Sequence, residues 1–396
     1  PGGYRLVPPG MLLLRDVFAV KVKRRRAAGQ QSGGAMLGVA LFCCKRRGRK
    51  LEEDTLHLHN ASADHTHTWY NALKEQIAGI STRPRSLKVF INPSSHRKEA
   101  VHIYRESVAP LFKMADIRTD ITGSTDVVSC SVHGVRDPVT AALHIILGHL
   151  QQVDMCSFSP VGQSVHFGFS AMFGFGGRSL ARAEKRRWMT SSRRREYALV
   201  KTLAKLRPEE CELSFLPIRC PVCNLWLFFA EGEGETSWTT KQGQYLSISV
   251  MSIPCLSPHA PRGLAPNTSL TSGSASLIAV ENASRSEFIK HLKRFGSSSG
   301  EVRAQFDFSF VEAHAVSAVK IRPLSMTGFF KEESEEEGDS KSTPIIQPEG
   351  AAFPWNIDGE LVEIANEVLI RVHPRLISLY GEEVEEAEST VSCSCI

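Results

Sequence analysis

Residues 87–93 read Leu-Lys-Val-Phe-Ile-Asn-Pro, an apolar run that stops at a turn-forming pair. This pattern predicts a buried β-strand over 87–91. Apolar residues at helical spacing follow and predict a helix, which Pro110 must kink or end. A second strand over 116–121 would complete a β-α-β unit, which is typical of a parallel α/β lobe. The apolar positions of the helix are Val101, Tyr104, Val108, Leu111 and Phe112.

A second helix of this lobe is predicted to begin at Asp137-Pro138. Aspartate is a favoured N-cap residue, and proline is favoured at the first helical position. We expect the helix to continue to residue 150. Its inner face would be formed by Val139, Ala142, Leu143, Ile146, Leu147 and Leu150.

The front of the chain is predicted to form short strands over 16–23, 35–43 and 55–59, followed by one amphipathic helix. That helix would begin near Asp64 and turn Trp69, Ala72, Leu73 and Ile77 inward. This order resembles the C-terminal part of a pleckstrin-homology domain. The first strands of such a domain would lie before or around Pro1.

From residue 153 onward the pattern changes to many strands and few helices, which predicts a β-rich, sandwich-like lobe. Strands are expected over 211–217, 244–253, 275–280, 315–321 and 368–373, and helices over 179–188, 195–205 and 287–295. The predicted fold class is therefore α/β plus all-β. Its domains are a partial pleckstrin-homology domain (1–80), a truncated α/β lobe (81–152) and a β-rich lobe (153–396) with an acidic loop at 331–345.

The composition is ordinary for a soluble globular protein, with 42% apolar and 22% charged residues in 396. No apolar run approaches the roughly 20 residues that span a bilayer. Ten cysteines show no disulfide-like rhythm, which favours a reducing compartment. Cys220 and Cys223 have zinc-like spacing without a second pair. The ending Cys-Ser-Cys-Ile fits a prenylation signal only loosely.

The net charge of +5 is uneven, because basic residues cluster near the front of the chain. This cluster favours anionic partners, such as phosphoinositides or other anionic membrane lipids. It also fits a nuclear import signal, or a solvated hairpin face without a function. The basic stretch 178–195 has two similar interpretations: it contacts a lipid surface, or it is a solvated helix face without a function. The lipid head-group candidates at the front are Lys21, Lys23, Arg24, Arg25 and Arg26.

Four blocks, taken in order, resemble the ceramide kinase branch of the diacylglycerol kinase catalytic-domain superfamily. They are KVFINP (88–93), the run 167–188 that begins FGFS, APRGLAPN (260–267) and PWNIDGE (354–360). The resemblance implies an α/β lobe of the diacylglycerol kinase catalytic type and a β-sandwich lobe. It also implies Mg·ATP as cofactor and ceramide or a related sphingoid lipid as phosphate acceptor.

The resemblance also implies where a nucleotide would bind. A phosphate loop would include Gly123, Ser124 and Thr125, and Asn92 would lie at the nucleotide. Asp358 and Glu360 would lie near the nucleotide, with Asp358 as the metal ligand.

Three departures from the family pattern argue against catalysis and against Mg·ATP binding. The Gly-Gly-Asp-Gly segment, which supplies the phosphate loop and a carboxylate, does not occur in this sequence. Arg178 stands where active relatives carry the aspartate that orients the acceptor, and an arginine cannot accept a proton. Asp126 replaces the family's asparagine after Gly-Ser-Thr and places a carboxylate near the phosphates.

Two functions remain open on the sequence. The first is a non-catalytic protein that binds lipid membranes or partners. The alternative is an active ATP-dependent kinase for ceramide or a related sphingoid lipid. Nucleic-acid binding is disfavoured, because the basic clusters lack interleaved aromatics. We expect a cytoplasmic protein that is peripheral at Golgi or endoplasmic-reticulum membranes. The basic residues 21–26 also allow import into the nucleus.

Overall fold

The computed structural model describes residues 11–25, 33–90, 99–122, 131, 133, 135, 137–218, 237–257, 259–265, 268–296, 306–324 and 352–384. The chain divides into two compact units. Unit 1 comprises residues 1–151 with 379–384, and unit 2 comprises residues 152–378 with 385–396. Among the described residues, no helix is both long and apolar enough to cross a bilayer.

Unit 1 begins with a three-stranded antiparallel sheet. Its strands, in spatial as in chain order, are β1 (Val17–Arg25), β2 (Ala35–Arg47) and β3 (Lys50–His59). Helix α1 (Ala63–Ala78) follows and is capped by Ser62, whose side chain accepts a hydrogen bond from His65 N at 3.3 Å. The three strands and the helix predicted for the front of the chain are therefore present.

The inner face of α1 differs from the prediction. Tyr70, Leu73 and Ile77 pack on the apolar face of the sheet. Trp69 instead is 56% exposed, and Ala72 is exposed as well. At 3.6 residues per turn, Tyr70, Leu73 and Ile77 form one stripe of the helix, and Trp69 lies outside it. The prediction that Trp69 belongs to the core was wrong.

The predicted β-α-β unit is confirmed. β4 (Ser86–Phe90) and β5 (Arg118–Thr122) pair in parallel and form a two-stranded sheet. Between them lie α2 (Glu99–Ile103), a π-helical turn (Tyr104–Val108) and α3 (Ala109–Met114). Pro110 lies in the first turn of α3, so the interruption expected at this proline falls just before it.

Helix α4 (Pro138–Leu147) begins where the sequence predicts. The Asp137 carboxylate accepts hydrogen bonds from the Thr140 amide at 2.8 Å and from its hydroxyl at 2.7 Å. The helix ends earlier than predicted, because Gly148 adopts a left-handed conformation with φ 73°. Leu150 therefore lies outside the helix and is 49% exposed, which corrects its assignment to the inner face.

Unit 2 is built mainly of strands and carries three helices among its described residues. Its strands are β6 (Leu150–Pro160), β7 (His166–Gly168), β8 (Ser170–Gly174), β9 (Glu209–Pro217), β10 (Thr239–Met251), β11 (Ala275–Glu281), β12 (Val311–Pro323), β13 (Phe353–Ile357), β14 (Glu360–Ile364) and β15 (Val368–Tyr380). Its helices are α5 (Phe175–Glu184), α6 (Ser191–Ala204) and α7 (Arg285–Phe295).

The strands of unit 2 form one ten-stranded sheet. Its order is β14-β13-β8-β10-β11-β12-β15-β6-β7, and β9 pairs with both β10 and β12. Because β11 also joins β10 to β12, these four strands close on themselves around an apolar core. Phe158, Phe173 and Trp355 are among its fully buried side chains. The predicted β-rich lobe is present, although hydrogen bonds join its strands into one sheet rather than the two of a simple sandwich.

Candidate functional site

Asp358 lies in the tight turn that joins β13 to β14. Asp358 and Gly359 both have positive φ, at 48° and 86°. Two-residue hairpin turns with positive φ at both positions match the twist of the strands, and they favour Asp-Gly. The Gly359 amide donates to the Asn356 side-chain oxygen at 2.8 Å. The residues Asn356–Gly359 therefore favour this two-residue hairpin turn.

The Asp358 carboxylate is directed at strand β8 rather than outward. Its Oδ2 accepts a hydrogen bond from Phe169 N at 2.8 Å. Its Oδ1 accepts from Ser170 N and from Ser170 Oγ, both at 2.8 Å. In return, the Asp358 amide donates to the Ser170 carbonyl at 3.1 Å. This carboxylate therefore fastens the β13–β14 hairpin to the start of β8.

Gly168 makes this contact sterically feasible. A Cβ at this position would lie 2.4 Å from Asp358 Oδ2, which is closer than side-chain carbons approach. Two of the four blocks quoted above, 167–188 and 354–360, thus meet at a glycine and a carboxylate. The contact between Gly168 and Asp358 therefore gives both motifs a role in the fold that does not involve a nucleotide.

The described part of the predicted nucleotide site does not fit a Mg²⁺ ion well. A carboxylate has about four acceptor positions, and three of those of Asp358 already receive protein donors. Glu360 is exposed at the first position of β14. Asn92, Gly123, Ser124 and Thr125 lie outside the described residues. The metal role of Asp358 and the nucleotide role of Glu360 stay predictions.

Arg178 is 5% exposed in the first half of α5. Its Nη1 forms an ion pair with the Glu209 carboxylate, and its Nη2 donates to the Arg207 carbonyl at 2.7 Å. Burial lowers the pKa of Arg178 to about 10, so it stays charged near neutral pH. Its guanidinium is engaged in holding α5 to the start of β9. It has no acceptor for a proton from a lipid hydroxyl.

Asp154 is a buried carboxylate of unit 2 that was not among the predicted site residues. It is fully buried on β6. Its oxygens accept hydrogen bonds from the backbone amides of Gly273 and Arg375, the latter at 2.8 Å. Gly273 and Arg375 both have positive φ, at 68° and 52°, so each lies in a tight turn. The signal for Asp154 was a lone acid in the apolar run 153–156.

The basic cluster at the front of the chain lies at the end of β1. Lys21 forms an ion pair with Asp116 at 3.4 Å. Arg24 donates to the Gly34 carbonyl at 3.2 Å. Arg24 and Arg25 are exposed, whereas Lys23 is half-buried. Arg24 and Arg25, two of the predicted head-group residues, are therefore exposed to solvent. Arg26 lies outside the described residues.

A second basic surface follows α5 in unit 2. Lys185, Arg186 and Arg187 are exposed, and Trp188 beside them is 80% exposed. Indole rings surrounded by basic residues are typical of protein surfaces that meet a membrane interface. Trp188 is an aromatic residue within the basic stretch 178–195, so the statement that the basic clusters lack interleaved aromatics was wrong for this stretch.

A cavity of about 110 Å³ in unit 1 does not qualify as the lipid or nucleotide site. It lies beside β1, α1 and residues 114–117, with Lys74, Arg83 and Asp116 among its lining residues. Pockets for ligands of drug size are usually about 300–1,000 Å³. The cavity is too small for a nucleoside triphosphate or a ceramide.

Comparison with known proteins establishes the family. Residues 169–396 match the family described as ceramide kinase C-terminal domain. The ceramide kinase-like protein of Homo sapiens is 40% identical over 473 aligned positions, which cover 94% of this chain and 82% of that protein. Ceramide kinase of Mus musculus is 25% identical, over 81% of this chain and 78% of its own length. The chain belongs to the ceramide kinase family, a family of lipid kinases.

The alignments also contain internal gaps, which are large in total. Since 94% of this 396-residue chain is about 372 residues, about 100 of the 473 positions aligned with the human relative have no residue of this chain. For the mouse ceramide kinase, 81% of the chain is about 321 residues against 423 aligned positions, which again leaves about 100. These counts agree with a segment that is missing inside the matched region.

A crystal structure of a diacylglycerol kinase from Bacillus anthracis also resembles this fold. It has a TM-score of 0.37 and 10% identity, over 82% of this chain and 84% of that chain. Because this TM-score is below 0.5, the family assignment rests on the sequence relatives.

Proposed function

We propose that this chain is a non-catalytic member of the ceramide kinase family that associates with anionic membranes. The observation that carries the proposal is the missing Gly-Gly-Asp-Gly segment. Phosphoryl transfer depends on a loop that cradles the phosphates and on carboxylates that hold Mg²⁺. The internal gaps, which total about 100 aligned positions, support the loss of that region. The buried pairing of Arg178 with Glu209 supports the loss of the acceptor site.

The described part of unit 1 is consistent with this proposal. Its parallel sheet has two strands, β4 and β5. Nucleotide sites of open α/β sheets lie beyond the carboxyl ends of several adjacent parallel strands. A two-stranded sheet provides little of such an edge, so it offers few positions for phosphate-binding loops.

We expect no stabilisation of the full chain by Mg·ATP in a thermal melt. A ligand at one hundred times its dissociation constant would add about 2.7 kcal/mol to the free energy of unfolding, which is readily measured. Ceramide kinase of Mus musculus, measured under the same conditions, is the positive control. A clear upward shift for this chain, or ATP-dependent phosphorylation of ceramide, would instead support the alternative of an active kinase, which family membership favours.

We expect the chain to bind vesicles of phosphatidylcholine and phosphatidylserine through Arg24 and Arg25. Each basic residue at an anionic membrane surface contributes about 1 kcal/mol, so the double variant Arg24→Glu/Arg25→Glu should reduce vesicle binding by roughly 30-fold or more. Co-sedimentation at low salt is the measurement. The control Lys290→Glu/Lys293→Glu makes the same change in charge on exposed positions of α7. Equal binding by both double variants would refute a role for β1.

The proposed binding to membranes also implies a cellular location. Such a protein would be cytoplasmic and peripheral at Golgi or endoplasmic-reticulum membranes, and residues 21–26 would also serve nuclear entry. Ceramide or a related sphingoid lipid is the ligand class that family membership favours.

A further inference from the structure

Two histidines meet at the end of helix α4 because of the way that the helix stops. Gly148 has φ 73°, and its amide donates to the Ile145 carbonyl at 3.1 Å. The His149 amide donates to the His144 carbonyl, also at 3.1 Å. These two bonds define a Schellman motif, which brings His144, the fourth-last residue of α4, against the second residue after the helix. That pair is usually apolar, but here it is His144 and His149.

The imidazoles of this pair lie in direct contact. His144 Nδ1 and His149 Nδ1 are 2.9 Å apart. His144 is 3% exposed, and the His149 side chain is 29% exposed. Burial lowers the pKa of His144 to about 3 and also lowers that of His149. A neutral imidazole has one nitrogen lone pair that can bind a metal ion. At 2.9 Å one Nδ1 donates a hydrogen bond to the other, and an ion held by both Nδ1 atoms would replace this bond.

A carboxylate from the far end of the chain completes the group. Glu382 Oε1 lies 3.6 Å from His149 Nδ1. The Gly381 amide donates to the His149 carbonyl at 2.8 Å and holds this segment in place. The other oxygen of Glu382 accepts a hydrogen bond from Arg46 at 2.6 Å. Hydrogen bonds of this kind commonly orient metal-binding carboxylates.

We propose that His144, His149 and Glu382 form a binding site for a divalent transition-metal ion, with Zn²⁺ as the ion that this donor set favours. One ligand atom from each of the three residues lies within 4.8 Å of the others. Two imidazoles and one carboxylate are a common zinc donor set, with a fourth position for water. Tetrahedral zinc with bonds of about 2.0–2.1 Å places ligand atoms ~3.3 Å apart. Two of the three separations, 2.9 Å and 3.6 Å, lie on either side of that value, and the third, between His144 and Glu382, is within 4.8 Å.

His133 and Arg46 shape the surroundings of the site. The His133 ring stacks on that of His144, with centroids 4.9 Å apart, and its Nε2 lies 3.0 Å from the Tyr380 carbonyl oxygen. The ion would connect α4 to the segment 379–384, which returns to unit 1 after β15. Its role would be structural. The Arg46 charge opposes a cation, so binding rests on the three ligands acting together.

The test is the binding of Zn²⁺ alone to the purified full chain. The parent protein carries Cys220→Ser and Cys223→Ser, so that thiolates at this pair cannot bind the ion. After removal of metal with a chelator, we expect one tight zinc per chain by calorimetry and elemental analysis. Mg²⁺ should give no binding, because imidazole nitrogen is a poor ligand for it.

Variants of the ligands identify the site. His149→Ala should weaken zinc binding by more than about 100-fold, since even the loss of a group that only hydrogen-bonds to a metal ligand costs about 10–100-fold. Glu382→Gln removes a ligand at a partly exposed position and keeps the shape, so it tests the site if His149→Ala fails to fold. The control is His67→Ala, which changes an exposed histidine on α1. Absence of zinc binding by the parent, or unchanged affinity in both ligand variants, would overturn the proposal.

Discussion

Replacing Arg178 with aspartate, the residue that the family resemblance implies for active relatives, is expected to destabilise unit 2 and to restore no kinase activity. The new carboxylate would lie buried beside Glu209, whose side chain is 13% exposed. Breaking a buried ion pair and leaving an uncompensated charge costs about 3–5 kcal/mol. Chemical denaturation of Arg178→Asp, together with an assay for ATP-dependent ceramide phosphorylation, measures both outcomes.

A matched control exists three residues after helix α5. Arg187 also pairs with a glutamate, Glu184, but its side chain is 78% exposed. Arg187→Asp makes the same chemical change on the surface, where an ion pair contributes about 0–1 kcal/mol. Equal losses of stability for the two variants would contradict a buried role for Arg178. Any gain of phosphorylation by Arg178→Asp would contradict the non-catalytic proposal.

Removing the Asp358 carboxylate is expected to lower the free energy of unfolding of unit 2 by about 3 kcal/mol. Asp358→Ala deletes the acceptor for three hydrogen bonds. It leaves the amides of Phe169 and Ser170 without this partner, and an unsatisfied buried donor costs about 1–3 kcal/mol. Denaturant unfolding monitored by the fluorescence of the buried Trp355 reports the loss.

Two further variants separate this structural role from metal binding. Glu360→Ala changes the neighbouring exposed acid, and a surface substitution of this kind is usually within about 0.5 kcal/mol. Gly168→Ala keeps the carboxylate but places a Cβ 2.4 Å from its Oδ2, so it should also destabilise unit 2. If the midpoint of denaturant unfolding is the same for Asp358→Ala as for the wild type, the hydrogen bonds of Asp358 to β8 do not stabilise unit 2.

Local patterns predicted the main elements of unit 1 and half of the strands of unit 2, whereas β6, β7, β8, β13 and β14 were not predicted. The Asp137-Pro138 pair marked the start of α4, because capping involves residues only three apart in sequence. The strand-helix-strand pattern around residues 87–121 predicted the parallel pairing of β4 with β5. The end of α4 was missed, since the pattern of apolar residues continues to Leu150 while Gly148 leaves the helical conformation.

The family was also readable from the sequence, and the loss of catalytic residues is a prediction from the same motifs. Motif blocks keep their order along the chain, so the family could be recognised without coordinates. The missing Gly-Gly-Asp-Gly segment and the arginine at position 178 are facts of chemical identity. Neither requires knowledge of where those residues lie in space.

By itself, the sequence indicated many of the helices and strands and determined which chemical groups the chain possesses. Only the tertiary structure decided which groups meet. Asp358 finds its donors at Phe169 and Ser170, and Glu382 meets His149, because strands far apart in sequence return to the same place. The spacing of residue types within a segment predicts hydrogen bonds between residues that are close in sequence. A contact across some two hundred residues depends on the path of the whole chain, which no local pattern encodes.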